Sequence, residues 1–195
     1  TSLNAKLWCL PDFPILQSRL TSRAIELRRE FSVNDAGAMA AFLNYVLYQT
    51  GWFACVLGAA WGLQCLGVGI AFSLLGIHWW LAKDRRSQFK LIVVAIVVGL
   101  IVDTAQLQAG FFAFPKGTVI DGLPPTFMTV LWMQFATTLR YCMSWLSKRY
   151  LLSAFFGMIG APLAFFAGEQ LGAIEFLAPR WLHFLVLGTL WAGCI

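Results

Sequence analysis

The chain has 195 residues, of which 59% are hydrophobic and 12% charged, with a net charge of +5. A water-soluble domain of this length cannot hide that much apolar surface, whereas a bundle of membrane helices has no need to. The charges fall almost entirely between long apolar stretches, so the expected partner is the lipid bilayer, with other membrane proteins or lipids as further candidates and no nucleic acid.

Residues 1–38 differ in composition from the rest, and Met39 directly precedes the first apolar stretch. They read as an N-terminal extension to a membrane domain over 39–195. They lack the short apolar core and small-residue cleavage site of a signal peptide. Leu16, Leu20, Ala24, Leu27 and Phe31 recur at helical spacing, with Arg19, Arg23, Arg28 and Arg29 on other faces. That pattern predicts either a basic amphipathic helix between about 15 and 31, lying on an anionic membrane surface, or a disordered tail.

The apolar stretches that follow are 40–61, 63–82, 91–112, 126–146, 151–174 and 177–195. Each approaches the roughly twenty residues that a helix needs to cross about 30 Å of hydrocarbon. The third is rich in Val and Ile, but its length rules out a strand. Gly62 leaves room only for a tight hairpin between the first two, and Pro124-Pro125 marks a sharp entry to the fourth. The expected fold is an all-α polytopic membrane bundle of six spans. With the loop Lys83–Lys90 inside, eleven Lys and Arg lie inside against two outside, Lys116 and Arg180. The positive-inside bias thus predicts both termini on the cytoplasmic side, N-in and C-in. Trp79, Trp80, Trp145, Tyr150, Trp61 and Trp181 fall at span ends, where amphipathic rings anchor in the headgroups.

Small residues recur four apart on two spans: Ala54, Gly58 and Gly62 on the first, and Gly160, Ala164, Gly168 and Gly172 on the fifth. Helices in lipid associate through close backbone approach, so Gly58, Gly62, Gly160, Gly168 and Gly172 are expected at helix–helix contacts. Pro162 should bend the fifth span. The five cysteines are scattered, and no pair has Cys-x-x-Cys spacing. Neither a disulfide framework nor a metal site is indicated, and no cofactor is expected. His78 and His183 have no second ligand at helical spacing, and His78 reads as an interfacial polar residue beside two tryptophans. No hydrolase motif or phosphate-binding glycine loop occurs, so no catalytic residue is assigned.

Asp103 is the residue that needs a reason. It lies about 18 Å from the inner end of its span, past the bilayer middle. A central aspartate costs about 2.5–3.5 kcal/mol, which the apolar residues before it offset. Gln134 lies at a similar depth and Gln49 at about 14 Å. Gly99, Asp103, Gln106 and Gly110 share one face of the third span; Gln134, Thr138, Tyr141 and Trp145 share one face of the fourth. Asp103, Gln106, Gln134, Thr138 and Gln49 are therefore the candidate ligand or proton site, with Gln134, Thr138 or Gln49 as the expected neighbours of Asp103. The aspartate is either structural, hydrogen-bonded in the interior, or a binder of a proton, a cation or a polar substrate group. Arg140 is placed to snorkel to the headgroups rather than to pair with it.

Several segments together resemble a bacterial membrane family known as domain of unknown function 2878: Gln49 to Ala60, Asp103, Phe135-Ala136-Thr137-Thr138-Leu139 with Ser144-Trp145-Leu146, and Gly160-Ala161-Pro162-Leu163 leading to Leu171-Gly172-Ala173. The match covers roughly residues 40–195. In that family Asn-His-Ser commonly follows the threonine pair, where this chain has Arg140-Tyr141-Cys142, so a site built on those residues would not carry over. The resemblance implies a multi-pass bacterial inner-membrane protein without an assigned activity. Gene neighbourhoods shared with fatty-acid-modifying methyltransferases imply a link to lipid metabolism. Three functions follow in order of support: a non-enzymatic component that binds lipid or a partner membrane protein; a small proton- or cation-coupled transporter using Asp103; and an intramembrane lipid-modifying enzyme, which lacks a visible nucleophile.

Overall fold

A computed structural model describes the backbone of residues 13–116, 118, 120–177 and 179–194, and their side chains except at 13–18, 20, 21, 24, 27–36 and 194. Among these residues lie six α-helices: α1 (Phe13–Ala60), α2 (Gln64–Leu81), α3 (Arg85–Gln108), α4 (Thr126–Leu139), α5 (Tyr150–Gln170) and α6 (Arg180–Cys194). Four segments are long and apolar enough to cross a membrane: Gly37–Ala60 within α1, α2, α3 and α5. The contacts fall into two units, Thr1–Ala40 and Ala41–Ile195, and the bundle is the second. In the first, Arg19, Arg23 and Glu26 are exposed. The expected amphipathic face of Leu16, Leu20, Ala24, Leu27 and Phe31, with Arg28 and Arg29, lies outside the described side chains. The helix does not stop near residue 31. No proline interrupts 32–60, and Gly37 by itself costs only about 1 kcal/mol.

The fourth span differs from expectation. Instead of running through 126–146, α4 stops at Leu139 and leads by way of turns to a 3-10 helix at Ser144–Leu146. The hydroxyls of Thr137 and Thr138 donate to the carbonyls of Gln134 and Phe135, both at 2.7 Å. These bonds compete with the backbone ladder at its last turn. The N–H groups of Tyr141 and Met143 then fold back on the Thr138 carbonyl. A helix of 14 residues spans about 21 Å, and α6, with 15 residues, about 22 Å. For α4 such shortness is tolerable at membrane depth because protein, not lipid, surrounds the chain: eight of its residues are buried, whereas α6 leaves Trp181 and Leu185 exposed.

Two of the glycines expected at packing faces do something else. Gly62 (φ 75°) and Gly172 (φ 84°) take left-handed backbone. Leu63 N–H reaches the Gly58 carbonyl at 2.7 Å, and Ala173 N–H reaches that of Gly168 at 2.9 Å. These are glycine caps that end α1 and α5, a conformation that a Cβ penalises. Their four-residue spacing from Gly58 and Gly168 is that of the capping motif, not of a helix interface. Gly58 does sit at a close crossing, where a Cβ would come 3.0 Å from the Gly67 Cα. Gly168 is buried, with a Cβ site 3.6 Å from Ile174. Gly160 has nothing within 4 Å of its Cβ position.

The helices of the bundle alternate in direction. One end gathers the α2–α3 loop and the turn after α4, joined by an Arg140–Asp84 ion pair of 3.1 Å. Asp84 also caps α3, its carboxylate accepting from Ser87 N–H. That bond, reinforced by Arg140 and Lys90, holds the exposed carboxyl below its ordinary range. At the opposite end the α3–α4 and α5–α6 connections pair as two short antiparallel strands, β1 (Phe112–Ala113) and β2 (Glu175–Phe176). This pairing has no periodic signal in the sequence. It buries Phe112 completely against Phe114 and Phe165. His183, also buried, stacks on Phe176 at 4.2 Å.

The α1–α2 hairpin offers a direct check on this packing. A Cβ on Gly67 would lie 2.3 Å from the Ala54 carbonyl oxygen, whereas Gly69 on the same helix has open space. Gly67→Ala should destabilise the bundle by about 1–3 kcal/mol and Gly69→Ala should not. Thermal unfolding of the two variants in detergent checks the difference.

Candidate functional site

Helix α4 carries its polar groups into the centre of the bundle, and each meets a different neighbour. Gln134 donates from Nε2 to the Ala71 carbonyl of α2 at 3.0 Å. Gly51 of α1 makes this possible, since a Cβ there would overlap the Gln134 amide. Gln88 of α3 donates to the Ala136 carbonyl at 3.3 Å, and Asn44 of α1 donates to Thr137 Oγ1 at 3.2 Å. All these side chains are at most 3% exposed.

Asp103 is 1% exposed, and its partner is Trp132 of α4, not a glutamine or threonine. The indole Nε1–H donates to Oδ2 at 2.9 Å. Gly99, one turn earlier, supplies the space, because a Cβ there would come 2.3 Å from Trp132 Cγ. Gly99 and Asp103 thus form a slot that fixes the ring. Gln106, on the same face and 3% exposed, donates back to the Val102 carbonyl at 3.3 Å. Thr138 is 1% exposed and is used within its own turn, donating to the Phe135 carbonyl. Gln49 lies in a groove between α1 and α5. The structure therefore does not assemble the five expected residues into one site; they serve separate contacts.

A polar cluster absent from the expected site lies nearer the Arg140–Asp84 end. The Asn44 amide nitrogen lies 3.3 Å from His78 Nδ1 and also bonds Thr137. Because Thr137 gives its proton to the Gln134 carbonyl, it can only accept from Asn44. The Asn44 amide nitrogen carries two protons and so can serve both Thr137 and His78 Nδ1. Tyr141 meets the His78 ring edge-on at 5.0 Å. His78 is 5% exposed, its ring turned into the bundle in the last turn of α2, while Trp80 two residues on faces outward, 75% exposed. Asn44 near the start of the first span was the signal: an amide in lipid must find a partner.

Between α1, α4, α5 and α6 lies a cavity of about 220 Å³. Its walls are aromatic and aliphatic, with Trp52, Phe127, Phe135 and Phe156 among them, and the small residues of α5 (Gly157, Gly160, Ala161, Ala164, Gly168) form one side. The glycine face of α5 therefore keeps space open and is not filled by another helix. Trp132 lines the cavity together with Trp191 of α6, the two rings stacked at 4.5 Å and 16°. No Lys, Arg, Asp or Glu contributes to the lining. A groove along α1 and α5 shares Tyr48, Trp52 and Ala164 with it, and adds Phe53, Leu163 and Phe166. Phe53 and Leu163 are exposed, so the groove opens toward the outer face of the bundle.

The profile of the family described as protein of unknown function DUF2878 matches residues 41–195. The chain belongs to this family. No curated protein and no solved structure matches it. The matched residues contain the whole polar centre of α4 and the cavity.

The slot for Trp132 separates a hydrogen-bonding role of Asp103 from a charge. Asp103→Asn should keep the fold, since the amide oxygen accepts the indole N–H equally well. Asp103→Leu leaves a buried donor unpaired and should cost about 1–3 kcal/mol. Chemical unfolding of the two variants measures the difference, and equal stability would remove the hydrogen bond from the account.

Proposed function

We propose that this protein is a non-enzymatic component of a bacterial cytoplasmic membrane that takes the hydrocarbon chain of a lipid into the cavity between α1, α4, α5 and α6. The observation that carries the reading is the cavity itself: apolar, without a charged side chain, and sharing Tyr48, Trp52 and Ala164 with a groove along α1 and α5. In a bilayer such a groove is bathed in acyl chains. A volume of about 220 Å³ lies below the roughly 300–1,000 Å³ of sites that enclose a drug-sized ligand. It suits part of one chain, not a two-chain lipid. A transporter working through Asp103 has less support, because that carboxylate is engaged with Trp132 in the wall of the cavity.

In the same reading the helices form six spans, with α4 shielded by the others and both termini cytoplasmic. The excess of Lys and Arg at the Arg140–Asp84 end supports this orientation. With Ser87→Cys and Thr118→Cys placed singly in a cysteine-free background, an impermeant thiol reagent applied outside cells should label only position 118. Labelling of both from one side would overturn the topology.

For the cavity, a diazirine-bearing fatty acyl probe in membranes should crosslink to Trp52 and to the Gly157–Ala164 stretch of α5, mapped by mass spectrometry. Gly160→Phe should abolish that labelling while the protein stays folded, since nothing lies within 4 Å of its Cβ position. Crosslinks confined to outward residues such as Leu151 and Leu163 would count decisively against a bound chain.

A further inference from the structure

We propose that the Arg140–Asp84 end of the bundle is a docking surface for the headgroups of anionic phospholipids, with Lys83, Arg86, Lys148 and Arg149 supplying the charge. The surface is independent of the cavity, since it acts on a headgroup and not on a chain.

Charge is divided unevenly between the two ends. At the opposite end Lys116 and Arg180 stand against Asp121, Glu169 and Glu175, and Arg180 pairs with Glu169 at 3.4 Å. At the Arg140–Asp84 end, Asp84 is the one carboxylate among the described residues of the bundle. It is already engaged by Ser87 N–H and by the Arg140 guanidinium. Arg85 is used as well, donating to the Trp80 carbonyl at 3.2 Å in the last turn of α2. The side chains of Lys83, Arg86, Lys148 and Arg149 are exposed. None of them has a hydrogen bond or an ion pair among the described residues. Like charges gathered without a counter-charge repel one another, and an anion placed among them removes that cost.

The neighbours of these cations decide which anion fits. Trp80 and Leu81 precede Lys83, Phe89 follows Arg86 on α3, and Tyr150 and Leu151 follow Arg149, all of them exposed. Amphipathic rings settle at the headgroup level and leucine in the hydrocarbon below it. The cations therefore stand at the depth of the lipid phosphates and not out in bulk water. A nucleic acid or an acidic protein would match the charge but leave the apolar side chains without a partner. A phospholipid meets both in one place. A zwitterionic headgroup brings an ammonium that the same cations repel, so an anionic one is preferred.

The test is selective retention. The purified protein in detergent is mixed with equal amounts of phosphatidylglycerol and phosphatidylcholine of identical chains and repurified, and the retained lipids are quantified by mass spectrometry. At about 0.1 M salt, phosphatidylglycerol should be retained about five- to thirtyfold over phosphatidylcholine, the effect of one or two cations at a membrane surface. At about 1 M salt, where charges are screened beyond about 3 Å, the ratio should fall to near one. The quadruple variant Lys83→Gln, Arg86→Gln, Lys148→Gln and Arg149→Gln should lose the preference at low salt, and Lys116→Gln should keep it. Equal retention of the two lipids, or a preference that survives the quadruple substitution or high salt, overturns the proposal. So does an equal loss in Lys116→Gln, which would assign the effect to net charge and not to this end. Should the quadruple variant fail to fold, the salt series of the unmodified protein decides. Because both lipids carry the same chains, none of these outcomes bears on the cavity.

Discussion

Helices in lipid gain nothing from hiding apolar surface from one another, since the surrounding tails are as apolar as their own side chains. What selects neighbours is close packing and the pairing of polar groups that cannot reach water. In this bundle both requirements converge on α4. Its Gln134 engages the Ala71 carbonyl of α2, its Ala136 carbonyl accepts from Gln88 of α3, its Thr137 accepts from Asn44 of α1, and its Trp132 donates to Asp103 of α3. Intramembrane bonds of this kind are worth about 0.6 kcal/mol each on average. Their number and their different directions specify the arrangement more than any one of them stabilises it. The glycines at 51 and 99 belong to the same design, because each opens the room that one of these side chains occupies.

This explains how a 14-residue helix can sit at the core of a membrane protein. A lipid-facing helix must keep its backbone ladder intact across the hydrocarbon. One surrounded by protein can stop early and turn, provided that the freed groups are satisfied locally. The threonine hydroxyls and the turn from Tyr141 to Leu146 provide that, and the Arg140–Asp84 pair fastens the turn to the start of α3.

The lipid-facing part of the fold was legible in the sequence because length and hydropathy are one-dimensional properties. The segments within α1, α2, α3 and α5 needed no partner to be recognised. What was not legible depends on which side of a helix faces which neighbour. Asp103 stood out by its cost, but its partner did not, because tryptophan in a membrane protein is usually read as an anchor. Trp61, Trp145 and Trp181 are exposed in keeping with that role, whereas Trp132 is 5% exposed. Spacing also misled where two mechanisms share a period. Gly58 with Gly62, and Gly168 with Gly172, are four apart both in a packing ladder and in a glycine-capped helix end. Only the backbone dihedral tells them apart.

The small residues of α5 raise the final question, since replacing one with leucine would fill the space beside it. In a well-packed interior, an empty cavity of about 220 Å³ would cost about 5 kcal/mol at roughly 24 cal/mol per Å³. That is comparable to the whole stability of a typical domain. Chance mispacking on that scale would be a heavy burden. The burden disappears when a lipid tail can enter, because the chain brings the missing dispersion contacts and leaves surroundings no less apolar than its own walls. Asp103, an expensive residue at that depth, spends its hydrogen bond on orienting Trp132. Trp132 in turn stacks on Trp191, and both rings line the cavity. The aspartate that the sequence marks as needing a reason thus holds one wall of the cavity in place.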